Sequence, residues 1–182
     1  MSLDLAQRLK TIMLDSLVGR VLPSISKADL PDCWLAGGAV RNTVWKVLYG
    51  QGCQLGIKDF DVVFFDPKGD REQELKAKEK LEQSFPNEIF DVKNQAGFGI
   101  WRPWRMSFTS TANGIANWLH TATAVGVRLN EQGEFEILAP YGLTDLFEGI
   151  IRPTPANLNN PEAESKAMSL LAGCAQLRVV SS

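Results

Sequence analysis

Two aspartates two residues apart, Asp59 and Asp61, sit in the apolar run Ile57-Lys58-Asp59-Phe60-Asp61-Val62. In a strand, residues i and i+2 share a face. Both carboxylates would then point one way, with Phe60 and Val62 turned to the other side. Carboxylates side by side repel each other unless a cation sits between them. Upstream comes Leu35-Ala36-Gly37-Gly38-Ala39-Val40-Arg41-Asn42, which reads as a buried strand running into a Gly-Gly turn and then a helix. Glycines at such a junction let backbone N–H groups approach a ligand, and the helix N-terminus behind them favours a phosphate. A phosphate cradle at Gly37 and Gly38 beside the Asp59–Asp61 pair points to a magnesium–nucleotide site.

Several elements must position these residues. Leu5, Leu9, Ile12, Met13, Leu17 and Val21 recur at three- and four-residue steps and predict one amphipathic helix, ended by Pro23. A first strand is expected over 33–36, and a helix over 38–49 on the spacing of Val40, Val44, Val47 and Leu48. The glycine-bearing loop of Gly50, Gly52 and Gly56 delivers the chain to a strand over 59–65. Residues 70–83 carry dense alternating charge, which suits a solvated helix or a binding surface. A third strand is expected over 88–92. Residues 93–111 follow without a period, and loops this long are often functional. A short helix over 113–119, capped by Asn113, precedes two strands, 122–129 and 134–138, around the hairpin signal Asn130-Glu131-Gln132-Gly133. Residues 143–147 read as a short helical piece and Ile150-Ile151 as an edge segment. The composition of 155–161 is linker-like, and Pro161 stands at the start of a last helix over 162–175.

The 182 residues suit a body over 1–155 and a helical tail over 156–182, expected to dock on that body. A net charge of -2 gives no basic footprint, so strong nucleic-acid binding is not expected. Cys33, Cys53 and Cys174 are odd in number and widely spaced, which indicates neither a disulfide framework nor a zinc site. A reducing, cytoplasmic location fits that usage. Asp4, Arg8, Lys10 and Asp15 interrupt any signal-peptide core, and no apolar run approaches the roughly 20 residues that span a bilayer, so no membrane partner is expected.

The motif Leu35–Asn42 followed by Lys58-Asp59-Phe60-Asp61-Val62 resembles the signature of the nucleotidyltransferase superfamily with the DNA polymerase β-like palm. Its local form is similar to the head domain of tRNA CCA-adding and bacterial poly(A) polymerases. The wider chain, roughly 31–155, resembles a family of small, stand-alone bacterial nucleotidyltransferase-like proteins. That likeness is carried by Asp91-Val92-Lys93-Asn94-Gln95-Ala96, Thr121-Ala122-Thr123-Ala124-Val125-Gly126-Val127-Arg128 and Ala139-Pro140-Tyr141-Gly142-Leu143-Thr144-Asp145-Leu146-Phe147. It implies an α/β (α+β) palm, a mixed sheet flanked by helices. It implies that Asp59 and Asp61 bind magnesium, with Asp91 as the third catalytic carboxylate and two ions in play. The substrate is then a nucleoside triphosphate held by Gly37 and Gly38, and the acceptor is the hydroxyl of a small molecule or a protein. The chain departs from the head-domain pattern at Asn42, where an acid is usual, and from the small family at Ala96-Gly97-Phe98-Gly99, where a basic segment is usual.

Other positions keep two readings. Arg41 either touches a phosphate or pairs with a core carboxylate. Lys93, Asn94 and Gln95 either line the nucleotide and acceptor site or end a strand as exposed polar residues. Trp101, Trp104 and Phe108 with Arg102 and Arg105 either stack a base or form a packed lid. Asp145 either meets the nucleotide or serves the helix dipole. His120, the one histidine, reads as a surface or capping residue. The rival to an enzyme is a non-catalytic nucleotide-binding or interaction module on the same fold.

Overall fold

The computed structural model describes residues 3–96 and 107–180. The expected first helix is two: α1 (Leu3–Leu14) and α2 (Leu17–Ile25). Ser16 makes the break. Its hydroxyl donates to Met13 O at 2.7 Å and accepts from Val18 N at 3.1 Å, which caps α2 and closes α1. Gly19 allows the two helices to meet, because a Cβ there would come within 2.5 Å of Leu14 O. Pro23 lies inside α2 rather than after it. The buried Val18, Val21, Leu22 and Ile25 hold the helix through the one hydrogen bond that proline removes.

The chain then alternates. Strand β1 (Trp34–Ala36) leads into α3 (Gly38–Tyr49), and β2 (Phe60–Phe64) into α4 (Arg71–Ser84), which Asp70 caps by accepting from Gln73 N. Strand β3 (Phe90–Asn94) runs parallel to β2, with α4 as the crossover that such a pair requires. The short helix α5 (Thr111–Ala116) is capped by Ser110, not by Asn113, whose backbone N–H is the group Ser110 receives. Strands β4 (Gly126–Leu129) and β5 (Phe135–Leu138) form the expected hairpin, but residues 122–125 are not strand. Asn130 Oδ1 accepts from the N–H groups of Gln132 and Glu134, while Gly133 supplies a φ of 77°. Helix α6 (Thr144–Phe147), strand β6 (Ile150–Ile151), helix α7 (Pro161–Gly173) and strand β7 (Arg178–Val179) complete the chain.

The sheet order is β3-β2-β1-β4-β5, mixed because only β2 and β3 are parallel. One face carries the large core. Leu35, Phe60, Val62, Phe64, Phe90, Val92 and Val127 meet Leu9, Met13, Val40, Val44, Trp45, Leu81 and Leu146 there. The other face carries a smaller cluster of Trp34, Ala36, Val63, Ile115 and Ala124. Phe60 and Phe90 are register partners on the core face and stack at 5.2 Å, 25° apart. That pair fixes the β2–β3 register, since a one-residue slip would expose both rings.

The segment expected to be linker-like is pinned. Thr154 and Asn157 are buried, and Asn157 Nδ2 donates to Asn117 O, Trp118 O and Thr154 Oγ1. Ala167, Leu170, Cys174 and Leu177 join the large core, β7 pairs with β6, and Cys174 faces Cys53 across an isolated bridge.

Candidate active site

The β1–α3 junction depends on Gly37. Its φ of 74° with ψ of -131° is open to glycine and strained for other residues. A Cβ there would overlap the six-membered ring of Trp118 and come within 2.8 Å of Asp61 Oδ2. Gly38 then starts α3, whose first N–H groups have no intrahelical partner. The Gly38 N–H donates to the Asp61 carboxylate. The turn and the carboxylate are thus in contact.

Asp61 lies on the face opposite the large core, as the alternation with Phe60 and Val62 requires. Asp59 stands just before β2, one residue outside the strand. The β2–β3 register sets Asp61 beside Asp91 and Val63 beside Lys93. Burial, and behind it the charges of Asp59 and then Asp91, push the Asp61 carboxyl up to about 6. The Gly38 N–H and Arg41 oppose that rise. Asp61 therefore feels both other carboxylates more than it feels Arg41, the cation among the described residues that acts on it. Lys93 Nζ meets Asp91 Oδ1 at 2.9 Å, with both side chains nearly half exposed. A pair this open is worth at most about 1 kcal/mol, so either partner can leave it for a ligand.

Arg41 is buried and makes no ion pair with a carboxylate among the described residues. Its Nε donates to Asn42 Oδ1 at 3.0 Å and one terminal nitrogen donates to Thr123 Oγ1 at 2.6 Å. The guanidinium stacks 5.2 Å from the Trp45 ring. Burial lowers it to about 10, and the Asp61 charge acts the other way. The cation is thus held at the first turn of α3, in the field of Asp61.

Not every expected residue joins this group. Asn94 is buried and structural: its side chain bonds Asp66 N, Asp66 O and Ala96 N. Gln95 is also buried, against Gly114, so neither is an exposed strand end. Asp145 is taken by Arg152, at 2.9 Å, and by Thr121, at 2.7 Å. His120 is buried rather than on the surface. Its Nε2 donates to Ala163 O at 3.0 Å, its Nδ1 lacks a partner, and burial pushes it down to about 4. Trp101, Arg102, Trp104 and Arg105 lie outside the described residues. Trp118 and Thr123 were not expected. Both lie far along the chain from the Gly37-Gly38 turn; Thr123 falls in the Thr121–Arg128 stretch that carries the family likeness, and no local pattern marks Trp118. Burial raises the thiols of Cys33 and Cys174 to about 12, which suits neither for nucleophilic work at neutral pH.

The donor set fits magnesium. All three acids offer hard oxygen, and Asp61 is short of positive charge. Among the described residues no three such groups are drawn together as a ready-made metal cluster. Magnesium does not need one, since it keeps several waters and takes one or two carboxylates together with phosphate oxygens.

A mixed sheet with a Gly-Gly turn feeding a helix, and carboxylates on adjacent strands beside that turn, defines a nucleotidyltransferase palm. The comparisons agree. The chain belongs to the Nucleotidyltransferase family, whose sequence model matches residues 23–179, and so falls in a class of NTP-using transferases. An NMR structure described as revealing a CCA-adding enzyme head domain is 31% identical, with a TM-score of 0.80 over 97% of this chain and 96% of that one. A CCA-adding enzyme in complex with CTP is 14% identical, with a TM-score of 0.62 over 94% of this chain and 42% of that one. The Thermotoga maritima CCA-adding enzyme complexed with tRNA is 13% identical, with a TM-score of 0.62 and the same two shares. The last two likenesses are of fold, and the chain spans well under half of those enzymes. No protein of curated function matches the chain. No helix among the described residues is long and apolar enough to cross a membrane.

Proposed function

We propose that the chain is a magnesium-dependent enzyme that moves a nucleoside monophosphate from a nucleoside triphosphate to the hydroxyl of a small molecule or a protein side chain. The observation that carries this reading is Asp61, in contact with the Gly37-Gly38 turn, in register with Asp91 and repelled by two neighbouring acids. Likeness to CCA-adding enzymes bound to CTP and ATP supports a triphosphate at the turn. A tRNA acceptor is not favoured, because a net charge of -2 gives the chain no overall attraction for a polyanion.

The first N–H groups of α3 and the positive end of its dipole hold the triphosphate, and the Arg41 cation at the first turn of α3 adds to that potential. Asp59 and Asp61 would hold the metal that accompanies the triphosphate, and Asp91 would complete the site on the acceptor side. Bound there, magnesium supplies charge neutralisation at the phosphates and a lowered pKa for the acceptor hydroxyl. Lys93 leaves Asp91 when the ligand arrives and meets a phosphate. The acceptor hydroxyl gives up its proton to solvent, its oxygen forms a bond to the α-phosphorus while the bond from that phosphorus to the bridging oxygen breaks, and pyrophosphate departs. In-line placement of the two oxygens is the contribution of the rigid β2–β3 pair.

A non-catalytic nucleotide-binding module is the second reading, favoured by the Lys93–Asp91 ion pair, which engages one oxygen of the third carboxylate. The substitution Asp91→Asn separates the two. In an enzyme it abolishes pyrophosphate release during an acceptor screen while triphosphate affinity stays within a few-fold of wild type. Turnover equal to wild type would remove Asp91 from the site.

A further inference from the structure

We propose that the indole of Trp118 is the platform on which the base of the incoming nucleotide stacks, an inference that rests on the triphosphate reading above. The ring and the Asp61 carboxylate converge on Gly37: a Cβ on that glycine would meet both. The aromatic surface therefore begins where the phosphate cradle and the carboxylates meet. The ring is only partly buried, packed at the edge of the smaller cluster. The sheet beside it is low, because Asp61 is paired with Ala36 and Ala36 with Gly126.

Trp118 also differs from the other two tryptophans in the described residues. Trp34 donates its indole N–H to Asp32 and Trp45 donates to Leu146 O, as packed tryptophans do. Trp118 shows no such indole bond among the described residues. Its backbone is fixed instead. Trp118 O accepts from Thr154 Oγ1 at 2.7 Å and from Asn157 Nδ2 at 3.2 Å, and Asn117 O accepts from Asn157 Nδ2 at 3.0 Å. Both anchors are buried. A partly open ring on a fixed backbone is a preorganised stacking surface.

Stacking is tolerant of base identity because every base has a π-face. The site should accept all four triphosphates and rank them by ring area, with ATP and GTP ahead of CTP and UTP.

The test is calorimetric titration in magnesium with two probes, ATP and inorganic tripolyphosphate. It compares wild type, Trp118→Phe and Trp118→Ala. Trp118→Ala should lose about 10- to 100-fold in ATP affinity, the size of one base–aromatic stack, and Trp118→Phe should stay within about 5-fold of wild type. Tripolyphosphate should bind all three alike, because it has no base. ATP affinity unchanged in Trp118→Ala overturns the proposal. So does an equal loss for tripolyphosphate, which would make the ring a mere support for Gly37. A wild type that binds tripolyphosphate and ATP equally overturns stacking and leaves the triphosphate site standing. A wild type that binds neither overturns the parent reading as well.

Discussion

Replacing Asp61 by asparagine should make the ligand-free protein more stable, not less. The carboxyl rises from 3.8 to about 6 on folding, through burial first and then the charges of Asp59 and Asp91. A raised carboxyl pKa means that the folded state binds the proton more tightly than the unfolded chain. Stability from this group is whole below pH 3.8 and is lost as pH rises through 6. About two pKa units correspond to about 3 kcal/mol, an upper figure for the cost of the ionised Asp61 at pH 7.5. Asparagine keeps an oxygen for the Gly38 N–H and carries no charge. Urea unfolding at pH 7.5 should therefore show Asp61→Asn more stable by about 1 to 3 kcal/mol, with the gap closing toward pH 4. Millimolar magnesium should raise the stability of wild type and leave the variant unmoved. A variant equal to wild type, or weaker at pH 7.5, would refute the reasoning that Asp61 is held against its neighbours for a cation.

His120 should act in the opposite sense. Burial depresses it from 6.5 to about 4, so its share of stability is present above pH 6.5 and is lost as pH falls toward 4. In the Asp61→Asn background that slope, up to about 3 kcal/mol, should stand uncovered in a pH series, and adding His120→Gln should flatten it. Gly37→Ala should cost about 2 to 4 kcal/mol by thermal or urea unfolding and abolish triphosphate binding, since a Cβ meets Trp118 and Asp61 at a φ of 74°. Asn157→Ala should cost about 1 to 3 kcal/mol by the same measurement, because it takes the side-chain donor from Asn117 O and leaves Trp118 O with Thr154 Oγ1.

What the sequence shows plainly is what its short-range pattern decides. The alternation around Phe60, Asp61 and Val62 sets Asp61 on the face away from the large core, and the Gly-Gly turn sets where α3 begins at Gly38. The α1–α2 break was written at Ser16, a cap residue, but the apolar period ran through it and read as one helix. The cap of α5 lies three residues before the expected Asn113 for a related reason: Ser110 and Asn113 are both good caps, and only the backbone direction chooses. His120, Trp118, Thr123 and Asn157 take their roles from segments remote in sequence, where no period speaks. His120 is buried because α7 lays Ala163 O against it. Thr123 matters because α3 brings Arg41 to it. Asn157 looked like linker because its composition is that of a linker, and its burial comes from the turn after α5.

Calorimetry with ATP, once with millimolar magnesium and once with a chelator, puts the site to its plainest test. Wild type should bind ATP in magnesium and lose at least tenfold in affinity without it, while Asp59→Asn and Asp61→Asn remain folded and bind weakly in both conditions. Binding that ignores magnesium, or that survives both substitutions unchanged, would contradict a metal–triphosphate site at the Gly37-Gly38 turn.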